Sequence, residues 1–128
     1  MKIFEQRLRP LGFGFAYLPV AVALEETGML SQKDLAQLVG VEQPTMAILL
    51  ARMERDGLII RSPDAEDKRS RKIKLTDKAK EQLPLAKARL YEVVNLATAD
   101  MTLQEQKQCI SLLKKMIMNL DTLHNTNL

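Results

Sequence analysis

The chain has 128 residues, 46% hydrophobic and only 4% aromatic, with no tryptophan and a formal net charge of +3. That is one domain's length, long enough to bury a core and too apolar for a disordered chain. A single cysteine leaves no disulfide to close within the chain, which fits a reducing, cytoplasmic setting.

The opening residues, interrupted by Arg7, Arg9 and Pro10, carry no signal-peptide pattern. Residues 13–24, the longest apolar stretch, are too few to span a bilayer and contain Pro19, so no membrane association is expected. Residues 1–10 read as the end of a helix with Ile3, Phe4 and Leu8 on one side, stopped by Pro10 and the turn through Gly12 and Gly14. A second helix is predicted over residues 15–27, with Pro19 near its start and Gly28 at its end.

Ser31 is a good N-cap for a third helix, and Asp34, three residues on, makes a near capping box. Leu35, Ala36, Leu38 and Val39 are predicted to face inward, and Gly40 permits a tight turn. A fourth helix is predicted over residues 43–56, with Pro44 in its first turn. Met46, Leu49, Leu50 and Met53 follow the i, i+3, i+4, i+7 rule of a buried stripe. That leaves Gln43, Thr45, Ala47, Ile48, Arg52 and Arg55 on or near the outer face.

Residues 58–62 read as a short strand and residues 63–70 as a turn-rich loop. Residues 71–75 alternate polar and apolar, as a half-buried partner strand does. Thr76 caps a long helix over residues 77–99, in which Pro84 is expected to bend the helix or mark a break. Thr102 and Glu105 form a full capping box for the last helix. Its Leu103, Ile110, Leu113, Ile117 and Leu120 recur at near-heptad spacing, flanked by Leu112 and Met116. This broad stripe suits the core on one side and a partner helix on the other. The fold class is therefore mainly α with a small β-hairpin wing.

From Lys68 to Lys80 the chain carries seven Lys or Arg against one acid, Asp77. Such an excess makes a positive patch even when the total charge is small. A helix-turn-helix followed by a basic hairpin is a shape that grips DNA at two points, although a charge run can also be no more than a solvated face.

The order and spacing of several motifs carry a resemblance. They are Gln32-Lys-Asp-Leu-Ala36, Val41-Glu-Gln-Pro-Thr-Met46, Leu50-Ala-Arg-Met-Glu-Arg-Asp-Gly-Leu58, Pro63-Asp-Ala-Glu-Asp-Lys-Arg-Ser-Arg71 and Ile73-Lys-Leu-Thr76. Over residues 8–123 the chain resembles MarR-type winged-helix transcriptional regulators, close to their SlyA-like branch. The resemblance implies a single MarR-like domain over residues 1–128. Within it, residues 15–76 would form a winged helix-turn-helix lobe, and residues 1–14 and 77–125 a helical dimerisation region. It also implies a homodimeric repressor on a pseudo-palindromic double-stranded operator, with half-sites about one helical turn (roughly 34 Å) apart. Many such regulators release DNA when a small aromatic or phenolic acid binds. Relative to the family pattern the first helix is short, and Ile48 stands where the SlyA-like branch commonly has Arg. These departures motivate a second reading, a winged-helix protein-interaction module or heterodimer partner without its own operator.

Each expected DNA contact has a plainer alternative. Gln43 and Thr45, in the first turn of the fourth helix, suit base edges, or Gln43 is only a cap-region residue. Pro44 shapes the turn, and Ile48 can touch a thymine methyl. Arg52 suits a phosphate, or a surface pair with Asp56. Arg69 at the wing tip suits a narrow minor groove, with Asp67 bracing it and Lys68, Arg71 and Lys72 on phosphates. Ser31 and Gln32 open the third helix, where free N–H groups can take a phosphate, or Ser31 is a plain cap. Phe13, Phe15, Tyr17 and Met29 line a ligand cavity or belong to the core. Cys109 is expected to be packed, and His124 to sit against the end of the last helix. With one His and one Cys there is no metal cluster. No nucleophile–base set or phosphate-binding glycine loop is visible, so neither cofactor nor enzyme activity is expected.

Overall fold

The computed structural model describes residues 2–63 and 71–125. Six helices and three strands follow in the order α1 (Lys2–Leu8), α2 (Leu18–Thr27), β1 (Leu30–Ser31), α3 (Gln32–Val39), α4 (Gln43–Arg55), β2 (Ile59–Pro63), β3 (Arg71–Leu75), α5 (Asp77–Ala97) and α6 (Leu103–Asn125). The chain forms two compact units, Met1–Val93 and Val94–Leu128, divided within α5.

In the first unit the core collects one side of every element. Leu8, Phe13, Val20, Leu24, Leu35, Met46, Leu50, Met53, Leu58, Ile59, Ile73 and Leu83 are almost wholly buried. Aliphatic and sulfur side chains dominate it, as the low aromatic content requires. No polar or charged residue is buried among the described residues. Burial of this apolar surface is the main driving force for the fold.

The second predicted helix begins as a 3-10 turn over Phe15–Tyr17 and becomes α-helical at Leu18. Pro19 fits because the first turn has no internal partner for its missing N–H. Gly28 closes the helix at φ +86°, a conformation that L side chains rarely adopt. Leu38, expected inward, is exposed. Helix α3 has only eight residues, and its core-facing side is filled by Leu35 and Ala36, with Val39 packed at the edge.

The hairpin forms with β2 antiparallel to β3, pairing Ile59 with Leu75 and Pro63 with Arg71. Ile59, Ile73 and Leu75 point into the core, the alternation that the sequence shows. The sheet also holds β1, which pairs Leu30 with Ile73 and Ser31 with Lys72 and gives the order β1-β3-β2. Thr76 then caps α5: its Oγ1 accepts from the Ala79 N–H at 3.1 Å and donates to the Gly57 carbonyl at 2.6 Å. Helix α5 runs through Pro84 as one element rather than breaking there, with the proline on an exposed side.

In the second unit, α6 opens on the expected capping box. The Thr102 N–H donates to Glu105 at 2.9 Å, and the Glu105 N–H donates to Thr102 Oγ1 at 3.1 Å. These bonds hold the Glu105 carboxyl below its usual range. The apolar side chains of α6, from Leu103 to Leu120, are exposed. No helix among the described residues is long and apolar enough to cross a membrane.

Candidate nucleic-acid interface

The candidate surface is built on α4. Its three innermost side chains, Met46, Leu50 and Met53, are fully buried, and Leu49 packs beside them. This fixes the rotation of the helix. Gln43, Pro44, Thr45, Ile48, Ala51, Arg52 and Arg55 are consequently exposed on the other side, with Ala47 between. The turn from α3 is closed by Gly40 at φ +81°. The first α4 turn is closed by the Met46 N–H on the Glu42 carbonyl at 3.0 Å.

The far end of α4 is held by a small polar network. Asp56 accepts from Arg55 Nε at 3.1 Å and from the Tyr17 hydroxyl at 3.0 Å. Lys78 Nζ donates to the Asp56 carbonyl at 2.9 Å. The hydrogen bond from Arg55 is the main reason that the Asp56 carboxyl sits below its usual range. The same bond raises Arg55. Burial, aided by the nearby carboxylate, raises the Tyr17 phenol. The alternative considered for Arg52, a surface pair with Asp56, is not formed: Arg55 takes Asp56, and Arg52 stands exposed. Glu54 turns instead to Arg61 on β2, at 3.6 Å.

The start of α3 lies beside β3. Ser31 Oγ accepts from the Asp34 N–H at 3.1 Å, so Ser31 is an N-cap, and Gln32 behind it is half-buried. Lys72 sits in register between Ser31 and Ser62, and Arg71 is exposed opposite Pro63. Asp67, Lys68 and Arg69, the expected wing-tip residues, lie outside the described residues.

The four residues suggested for a ligand cavity are placed differently from one another. Phe13 is in the core, and Tyr17 has a buried ring with its hydroxyl on Asp56. Met29 is exposed. Phe15 stacks on Phe4, with ring centres 4.8 Å apart, and lines an apolar recess with Leu18, Pro19, Val22 and Leu90. Cys109, expected to be packed, is exposed on α6. Among the described residues no three His, Cys, Asp or Glu converge as metal ligands.

Ala51 and Arg55 are exposed on the same side of α4 but stand outside the contacts expected from the sequence. The signal was available, because both continue the outer face of α4 three and seven residues beyond Ile48. The role of Tyr17 carried no local signal, since its partner lies on another element.

Residues 22–70, from within α2 through β2 to the residue before β3, match the MarR family. Solved structures agree in fold. A cysteine-to-serine mutant of MarR from E. coli, complexed with operator DNA, superposes with a TM-score of 0.82 at 22% identity, covering 90% of this chain and 83% of that one. A probable transcriptional regulator from Pseudomonas aeruginosa gives 0.78 at 26% identity, covering 90% and 89%. The PcaV transcriptional regulator from Streptomyces coelicolor, in complex with its natural ligand, gives 0.76 at 21% identity, covering 88% and 82%. The fold is thus the winged-helix fold of MarR regulators. Of the relatives named, the second and third are described as transcriptional regulators.

Proposed function

We propose that this chain is a cytoplasmic, sequence-specific double-stranded DNA-binding regulator of transcription that acts as a homodimeric repressor and is released by a small ligand. The observation that carries the reading is the solvent-facing side of α4, with Gln43, Pro44, Thr45, Ile48 and Arg52 exposed together on a helix whose other side is locked in the core. A helix so placed in a helix-turn-helix enters the major groove, while the helix before it meets the backbone. Ser31 and Gln32 at the start of α3, and Arg71 and Lys72 on β3, would meet phosphates. Asp67, Lys68 and Arg69 would form the wing contact. The solved relative bound to operator DNA supports the same reading.

In this reading residues 15–76 are the DNA-binding lobe, and residues 1–14 and 77–125 the dimerisation region. The dimer is supported by the exposed stripe Leu103, Ile110, Leu113, Ile117 and Leu120 on α6, which leaves a large apolar area in water. Release by a small aromatic or phenolic acid is supported by the apolar recess at Phe15 and by the relative solved with its natural ligand. The motif spacing favours the SlyA-like branch.

The test is a shift assay with the duplex upstream of the chain's own gene, at two salt concentrations, beside sedimentation of the free protein. We expect a dimer and an affinity that falls steeply with salt, because phosphate contacts displace counterions. A monomer that binds no duplex but pairs through α6 with a different protein would favour the heterodimer reading.

A further inference from the structure

The outer face of α4 has an unusual composition for a surface meant to meet DNA. From Gln43 to Ala51 the helix contains no Lys, Arg, Asp or Glu. The cations Arg52 and Arg55 come only in its last turn. The one acidic residue at the leading end is Glu42, the N-cap residue. Guanine is most often read by a bidentate Arg or Lys, and cytosine by a carboxylate. The first two turns of α4 have neither. They offer the Gln43 amide, the Thr45 hydroxyl and an apolar ridge.

That ridge is Pro44, Ile48 and Ala51, spaced i, i+4, i+7 and so aligned on one side of the helix. All three are exposed, Ile48 by 55%. An exposed β-branched residue in mid-helix helps neither solubility nor helix propensity. Its apolar surface gains free energy only when something apolar covers it. In a major groove the apolar group on offer is the C5-methyl of thymine.

We propose that Ile48, flanked by Pro44 and Ala51, reads thymine methyl groups. On this account the preferred half-site is centred on A·T pairs, and Gln43 takes the neighbouring adenine. The inference rests on the DNA-binding reading above and adds the identity of the bases. Specificity then comes from the apolar ridge and the amide, while Arg52 and the basic strand supply affinity without sequence information.

The experiment uses the full chain and duplexes with a randomised centre, from which tight binders are selected at moderate salt. A selected duplex is then remade with deoxyuridine in place of thymine inside the half-sites, which removes only the methyl groups. A control carries deoxyuridine outside them. For the parent protein the inner replacement should weaken binding about fourfold per contacted methyl, the worth of one buried methyl-sized group. The outer replacement should change nothing. Ile48→Ala, a surface change that leaves the core intact, should bind the thymine duplex about as weakly as the parent binds the deoxyuridine one, and should lose its sensitivity to the replacement.

If selected duplexes bind equally well with thymine and deoxyuridine, or if Ile48→Ala keeps the full penalty, methyl reading by Ile48 is overturned while DNA binding stands. If no duplex is retained even at low salt, the DNA-binding reading itself fails and this inference with it.

Discussion

The Tyr17 hydroxyl donates to the Asp56 carboxylate at 3.0 Å, joining positions 39 residues apart in sequence. The bond ties the residue just before α2 to the residue just after α4. Arg55 and Lys78 converge on the same Asp56, through its carboxylate and its carbonyl. The C-terminal end of the proposed recognition helix is therefore held from two other elements, α5 and the turn before α2.

Removing the hydroxyl tests that hold. Tyr17→Phe keeps the buried ring and deletes one partly buried hydrogen bond, so it should cost about 1 kcal/mol in thermal or urea unfolding. Its pH signature follows from the two shifts. The Asp56 carboxyl is depressed, chiefly by Arg55, so its contribution is present above its ordinary value of 3.8 and is lost as pH falls through the lower folded value. The Tyr17 phenol is raised, chiefly by burial, so its contribution is present below 10.0 and is lost as pH climbs through the higher folded value. The penalty of Tyr17→Phe should thus be flat through neutral pH and shrink in strong acid, where a protonated Asp56 no longer attracts the phenol. A penalty that grew on acidification would contradict the bond.

A second tie joins α2 to α5 through Lys87 Nζ and Glu25 Oε1, 2.5 Å apart. That hydrogen bond is the main cause raising the Lys87 ammonium. Its stabilisation is present below the ordinary 10.5 and is lost as pH rises through the folded value. Both side chains remain about a third or more exposed, so solvent screening keeps the gain small. Lys87→Met should cost about 0.5 kcal/mol or less at low salt. The loss should vanish near 1 M salt, where the screening length is about 3 Å. A salt-independent penalty would point to packing by the lysine stem instead.

Thr76 links the turn after α4 to the start of α5 with one side chain, accepting from Ala79 and donating to the Gly57 carbonyl. Thr76→Ala removes the cap and that second bond, and should cost about 1–2 kcal/mol by chemical denaturation. Thr76→Ser keeps the hydroxyl and should recover most of it. If the serine variant were as unstable as the alanine one, the methyl and not the hydroxyl would be the important group.

How far the sequence carried these features depended on their range. The buried side of α4 was legible because Met46, Leu50 and Met53 follow a helical period over thirteen residues. The β2–β3 hairpin was legible because Ile73 and Leu75 alternate with lysines and arginine. The capping residues Ser31, Thr76 and Thr102 were legible because their partners lie three residues away. Strand β1 was not, since two residues carry no period and exist as a strand only through β3. Leu38 was misplaced because a short amphipathic helix does not reveal how much of its apolar side meets the core. The aromatic group at Phe13, Phe15 and Tyr17 is close in sequence but serves three ends: core, a stack on Phe4 and the bond to Asp56. Nothing local distinguishes those ends.

The most direct measurement of the central claim is the salt dependence of duplex binding by the parent and by Arg52→Ala, followed by fluorescence anisotropy. Arg52 is exposed on α4 and lies away from the core, so the variant should fold and unfold like the parent. If α4 faces DNA, the parent's log affinity falls linearly with log salt. Arg52→Ala should then bind more weakly across all sequences, with a slope shallower by about one, because it neutralises one phosphate fewer. An unchanged affinity and slope in Arg52→Ala, in a protein that still binds duplex DNA, would contradict the placement of α4 at the interface.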